Sequence, residues 1–181
     1  MSDEESHPGP VSATDSGDEQ GLPEFGLTWP IKRSFVTYVL GMPDGRAGAV
    51  DGAWPLPDLS VVFAHDSSVA PADLGGSGWA FRGDVRFAGH FGMLFVRIAD
   101  PWLVRTDEGI VLTIVDPDVD PADKNDRRRM PLAEVTLEQT GSGEWASTRV
   151  SLTAQGSELF NNVYPAGDRL DPFTLHLPVQ A

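Results

Sequence analysis

The stretch "VRFAGHFGML", residues 85 to 94, ends a strand-like alternation with His90 held between Gly89 and Gly92. Glycines at such a place mark a bulge or a close approach of another group to the backbone. Two readings stand side by side: a bend that happens to carry a histidine, or a site that needs one ring nitrogen at one place. The chain has only two tyrosines, Tyr38 in "SFVTYVLG" and Tyr164 in "NNVYPAGDRLDPF". A phenolate is a hard anionic ligand for ferric iron, and tyrosine is among the axial ligands that hold heme. A free tyrosine titrates near pH ~10, so ligation at neutral pH needs the metal's charge and a hydrogen bond to the oxygen. A histidine beside the phenol supplies that hydrogen bond and titrates close to neutrality. Spacing alone does not say whether Tyr38 and His90 meet.

Other patterns carry less. "DPDVDPADKNDR", from Asp116, begins like an EF-hand calcium loop but has no glycine at its sixth position and Arg127 where the bidentate glutamate belongs. "GGSG", residues 75 to 78, leads into a strand and not a helix, so it has no dipole with which to hold a phosphate. Neither a Gly-x-Ser-x-Gly elbow nor a His-Glu-x-x-His pair occurs. Of the remaining histidines, His7 lies near the N-terminus, His65 follows a strand and is expected to face solvent, and His176 sits on the outward face of the last strand. No second ligand stands at chelate spacing from any of them, which argues against zinc.

The elements that must position Tyr38 and His90 follow from periodicity. "LTWPIKRSFVTYVLG", residues 27 to 41, predicts a helix capped by Thr28, with Ile31, Phe35 and Val39 on its packed side. Ser34 and Tyr38, four apart, share a neighbouring face. "WAFRGDVRFAGH" reads as one strand with Trp79, Phe81, Val85 and Phe87 inward; Arg82, Asp84, Arg86 and, by parity, His90 face away. "LAEVTLE", "RVSLTA" (through Ala154) and "FTLHL" alternate in the same manner. "LSVVFA", "MLFVRIA" and "GIVLTIV" are apolar on both faces, as strands between layers are. Seven or more strands with one or two short helices predict an all-β fold, an antiparallel β-sandwich or a barrel.

Composition bounds the rest. With 181 residues, 40% of them hydrophobic, the chain suits one domain with a core. Residues 1 to 21 are acidic and poor in large apolar side chains, so they read as a disordered tail, with the folded domain over 22 to 181. A net charge of −14 repels phosphate backbones and argues against nucleic acid as a partner. Arg127 to Arg129, set among aspartates, read as a solvated, mutually paired loop. No apolar run reaches the ~20 residues of a membrane span. The absence of cysteine removes disulfides and thiolate ligands. The N-terminal residues hold no basic and then apolar signal region, which predicts a cytoplasmic protein.

Three blocks, "LTWPIKRSFVTYVLG", "FRGDVRFAGHFGMLFVRIADPWLV" and "LTAQGSELFNNVYPAGDRLDPFTLHL", resemble in order the HtaA domain of corynebacterial heme-uptake proteins, over roughly residues 25 to 178. That resemblance implies a β-sandwich with short helices that binds ferric heme b and exchanges it with another heme carrier. It implies Tyr38 as the axial ligand, His90 as its hydrogen-bond partner, Ser34 as a propionate partner and Tyr164 as a pocket residue. Members of the family are usually secreted or anchored at the envelope, in contrast to the cytoplasmic expectation. The implied function is not enzymatic. Two alternatives are a heme enzyme of peroxidase-like or heme-degrading type, for which no distal His–Arg or His–Asn pair is readable, and a β-sandwich interaction module without heme.

Overall fold

The computed structural model describes residues 21–179; the segment 1–20, most of the expected acidic tail, lies outside the described residues. In chain order the elements are β1 (Gly26–Trp29), α1 (Arg33–Gly41), β2 (Arg46–Val50), β3 (Ala53–Pro55), β4 (Val61–His65), β5 (Trp79–Arg82), β6 (Asp84–Gly89) and β7 (Leu94–Ala99). They continue with β8 (Trp102–Thr106), β9 (Gly109–Val115), β10 (Arg129–Gly141), β11 (Glu144–Leu152), α2 (Ala154–Leu159) and β12 (Thr174–His176). The fold is all-β and antiparallel, as the alternation predicts.

The larger sheet runs β1-β12-β11-β10-β9-β8-β5-β4, and β4 pairs back with β1, so the sheet closes on itself; β3 adds beside β4. Closure removes the open edges that would otherwise recruit other strands. A second sheet, β2-β6-β7, completes a barrel- and sandwich-like body. Trp29, Phe63, Phe81, Phe173, Leu103 and Leu132 are among the fully buried side chains contributed by the larger sheet and the segments next to it. Burial of each contributes about 1.5–3 kcal/mol relative to exposure.

Four segments differ from the periodicity reading. Leu27–Trp29 is strand and not helix: it pairs with β12 and with β4, Leu27 standing opposite Leu175 and Phe63. Helix α1 therefore starts at Arg33, and Thr28 caps nothing. Asp171 takes that part: its carboxylate accepts the Arg33 N–H at 2.9 Å and its carbonyl accepts the Trp29 indole N–H at 2.8 Å. The run "WAFRGDVRFAGH" breaks at Gly83, where the chain passes from the larger sheet to the smaller. The alternation in "RVSLTA" ends at Leu152, because Thr153 caps α2 by accepting the Gly156 N–H at 2.9 Å and exposed Ala154 is already helical. In β7, Phe95 is exposed, so that strand is not covered on both faces.

Packing of α1 sets the site. Ile31, Phe35 and Val39 are buried as predicted. Phe35 makes edge-to-face contacts with Phe87 of β6 at 5.2 Å and with Phe160, just after α2, at 5.1 Å. Each such pair contributes about 0.5–1.5 kcal/mol beyond its buried area. One phenylalanine thus locks together the helix carrying Tyr38, the strand leading to His90 and the segment leading to Tyr164.

Candidate functional site

Tyr38 lies on the outer face of α1, 52% exposed, one turn after Ser34. His90 does not continue β6 in parity. It opens a 3-10 turn in which His90, Phe91 and Gly92 have φ of 49°, 54° and 86°. The left-handed turn reverses the chain from β6 into β7 and swings the imidazole toward the helix. Gly89 is needed for a different reason: its backbone is extended, but a Cβ there would meet the Met42 methyl at 2.6 Å. Both glycines flanking the histidine therefore serve its placement, one by admitting Met42 and one by its conformation.

The result is a direct contact. Tyr38 Oη and His90 Nε2 share a hydrogen bond of 2.6 Å, with ring centroids 5.8 Å apart. While the phenol is neutral its O–H donates to the imidazole; once it is ionised, an imidazole N–H donates to the oxygen. Either way the histidine occupies one side of the oxygen and leaves its other lone-pair direction free.

That oxygen opens onto a cleft of about 570 Å³ lined by Phe35, Tyr38, His90, Met93, Leu94, Val96, Phe160, Asn161, Val163 and Tyr164. The volume lies within the range of small-molecule sites, and the lining is predominantly apolar with a few convergent polar groups. Met93 and Val163, 85% and 69% exposed, form an apolar rim, and Phe91, 94% exposed, follows His90 in the chain. Tyr164 stacks edge-on to Phe160 at 5.6 Å. Burial pushes its hydroxyl above the usual tyrosine range, with Asp168 and Tyr38 adding to the effect, so it remains a neutral donor.

The structure thus brings Tyr38, His90 and Tyr164 to one cleft. Ser34 is exposed on the same helix and is not part of the cleft wall. The sequence reading missed the apolar wall from Leu94, Val96, Phe160 and Val163. The left-handed Asn161 and Asn162, which turn the chain past the cleft, were the available signal.

Elsewhere, Asp116, Asp120, Asp123 and Asp126 each accept the N–H two residues on at 2.9–3.1 Å, so the calcium-like segment is a series of Asx turns. Among the described residues no cluster of three or more His, Asp or Glu is placed to hold a metal. No described helix is long and apolar enough to cross a membrane. His176 is exposed, as expected, whereas His65 is half-buried against Phe81, and burial lowers its basicity. Arg129 is likewise no solvated loop residue: it begins β10, stacks 3.8 Å over Trp102, and donates to Thr113 and to the Asp100 carbonyl.

Three solved structures from Corynebacterium glutamicum share this fold. The C-terminal domain of HtaA matches with a TM-score of 0.59 at 23% identity, covering 87% of this chain and 99% of that one. The heme binding protein HtaB matches at 0.62 and 19%, covering 84% and 92%. The N-terminal domain of HtaA matches at 0.58 and 20%, covering 87% and 98%. A comparison with curated proteins returned no match. The sequence profile of the HtaA family matches residues 24–176, nearly the whole described fold, and the chain belongs to that family.

Proposed function

We propose that this chain binds ferric heme b in the cleft, with the Tyr38 oxygen as axial ligand and His90 hydrogen-bonded to it, and serves in heme transfer, uptake or storage and not in catalysis. The carrying observation is the 2.6 Å contact between Tyr38 Oη and His90 Nε2 at the mouth of an apolar cleft. The similarity to HtaB, a heme binding protein, supports the same reading.

The residues suit such a cargo. Its iron supplies a Lewis acid that an anionic oxygen satisfies, and Tyr38 offers that oxygen with one direction free. His90 accepts the phenolic proton and steadies the phenolate. Phe35, Leu94, Val96, Phe160 and Val163 offer apolar surface to a porphyrin plane, and that burial supplies most of the affinity. Tyr164 closes one side, and Ser34, exposed one turn before Tyr38, is assigned to a propionate at the ligand's edge. An open apolar rim suits hand-over to a second heme carrier. Phenolate prefers ferric to ferrous iron, so reduction favours release.

Titration of the apo-protein with hemin, followed by visible spectroscopy, tests the assignment. A high-spin ferric tyrosinate spectrum is expected, lost in Tyr38→Ala and altered in His90→Ala. Unchanged spectra in both variants overturn the site. Peroxide turnover by the hemin-loaded wild type overturns the non-catalytic reading.

A further inference from the structure

Lys32 immediately precedes α1, and its half-buried side chain reaches the Tyr164 side of the cleft. Its Nζ donates to the Arg169 carbonyl at 2.8 Å and stands 4.7 Å from the Tyr164 ring centroid. An ammonium carries three donors. The carbonyl takes one, the ring face accepts none in the directed sense, and no carboxylate among the described residues lies within ion-pair distance. The neighbouring Arg33 differs: it pairs with Asp58 at 3.3 Å and with Asp171 at 3.9 Å.

In a chain with 27 acidic and 13 basic residues, an uncompensated cation beside an apolar cleft needs an explanation. Asp168 is near enough to act on the Tyr164 hydroxyl, and Asp171 lies at the helix start beside Lys32, where Arg33 engages it, so an anion arriving here needs a cation to offset them. Tyr164 links the two residues, Lys32 and Tyr38: its ring lies under the Lys32 ammonium, and it lines the same cleft as Tyr38.

We propose that Lys32 is the anion-binding point of the cleft, receiving a carboxylate on the edge of the tetrapyrrole whose metal meets Tyr38. The proposal rests on the heme reading above. Lysine suits this task as a mobile point charge able to turn a free donor toward one acid group. Tyr164, neutral and next to it, adds a hydroxyl donor at the same end.

The test compares hemin with hemin dimethyl ester on the wild type, Lys32→Met and Lys32→Arg, reading the Soret band and the melting temperature of each apo-protein. The wild type is expected to bind the diacid roughly five- to tenfold more tightly than the diester, the scale of one partly exposed charge-assisted hydrogen bond. Lys32→Met loses that preference while keeping the wild-type affinity for the diester, and Lys32→Arg restores it. An equal loss for both probes in Lys32→Met means that Lys32 acts only by packing on Tyr164, and overturns the proposal. Equal binding of the two probes by the wild type also overturns it, while the heme reading stands. Absence of any Soret change with either probe defeats the heme reading itself, and this proposal with it.

Discussion

The Phe91 N–H donates to the Asp44 carboxylate at 2.6 Å, tying the turn that carries His90 to the loop that follows the helix carrying Tyr38. Asp44 comes three residues after the end of α1, and Phe91 is the residue next to the histidine. The phenol and the imidazole are thus held at both ends, by their own contact and by this clamp behind it. The clamp matters because His90 and Phe91 are both left-handed without being glycine. Such a backbone costs about 1–2 kcal/mol per residue and persists only where neighbours hold it.

Removing the clamp should therefore loosen the site more than it destabilises the fold. Asp44→Ala is expected to lower stability by about 1 kcal/mol, the value of one exposed charge-assisted hydrogen bond less its solvation. In the hemin complex it should broaden or shift the tyrosinate band as His90→Ala does, though less. A variant with an unchanged spectrum and an unchanged melt would show that Asp44 positions nothing.

The two glycines around His90 predict a double-mutant result. Gly89→Ala places a Cβ at 2.6 Å from the Met42 methyl, the far end of a flexible side chain. Gly92→Ala meets nothing within 4 Å but sits at a φ of 86°. Both should cost about 1 kcal/mol, the first from crowding and the second from the backbone. In a Met42→Ala background, Gly89→Ala should cost little, while Gly92→Ala should cost as much as it does in the wild type. Denaturant midpoints of the single and double variants read this directly.

Much of this arrangement could be read along the chain, and the exceptions share one cause. Alternating runs such as "LAEVTLE" carry their burial locally, and Val135 is buried while Glu134 is exposed, as the alternation predicts. His90 between two glycines likewise marked a bend. By contrast, Leu27–Trp29 suits a helix or a strand equally; its partners in β4 and β12 lie far along the chain, and only they decide. The Asp44 clamp is similarly remote, spanning 47 positions. Arg129 looked solvated because its sequence neighbours are charged, whereas its partners Trp102 and Thr113 arrive from other strands. The walls from Leu94, Val96 and Phe160 read as ordinary core, since an apolar pocket uses the same residue types as an apolar interior.

Two aspartates at the junction of the sheets should respond oppositely to pH. Asp84 is buried, which alone would raise its pKa, but hydrogen bonds and charge from Arg86 and Arg97, both at 2.9 Å, hold it below the usual range. A depressed carboxylate contributes stability that is present above its unfolded value of about 4 and lost as pH falls through the folded one. Asp100 is pushed up by burial, despite the Gly83 N–H and Arg129 acting to lower it. Its charge opposes folding at neutral pH, and that opposition disappears in acid. Asp84→Asn should therefore destabilise at pH 7 by about 1–3 kcal/mol, reduced from the fully buried case because Arg86 is half exposed. Asp100→Asn, which keeps the acceptor and tolerates the left-handed backbone, should raise the melting temperature at pH 7 and not at pH 3. Melts of both variants across that range decide the signs.

Arg129 offers the sharpest distinction between charge and shape. Its guanidinium stacks on Trp102 at 3.8 Å and donates to the Thr113 hydroxyl and carbonyl, both at 3.0 Å, and to the Asp100 carbonyl. Burial pulls its pKa down to about 10, so it remains charged at neutral pH. Three acceptors around one guanidinium under an aromatic face match a fork and not a point charge. Arg129→Lys keeps the charge but cannot reach three acceptors while stacking, and should cost about 2 kcal/mol. Arg129→Met keeps an apolar stem beside Trp102 but loses the guanidinium stack and every donor, and should cost about as much or more, because the Asp100 carbonyl then has one partner fewer. If lysine restored wild-type stability, charge alone would account for the residue. If methionine did so, the apolar stem would, and the hydrogen-bonded fork would have no share in joining β8, β9 and β10.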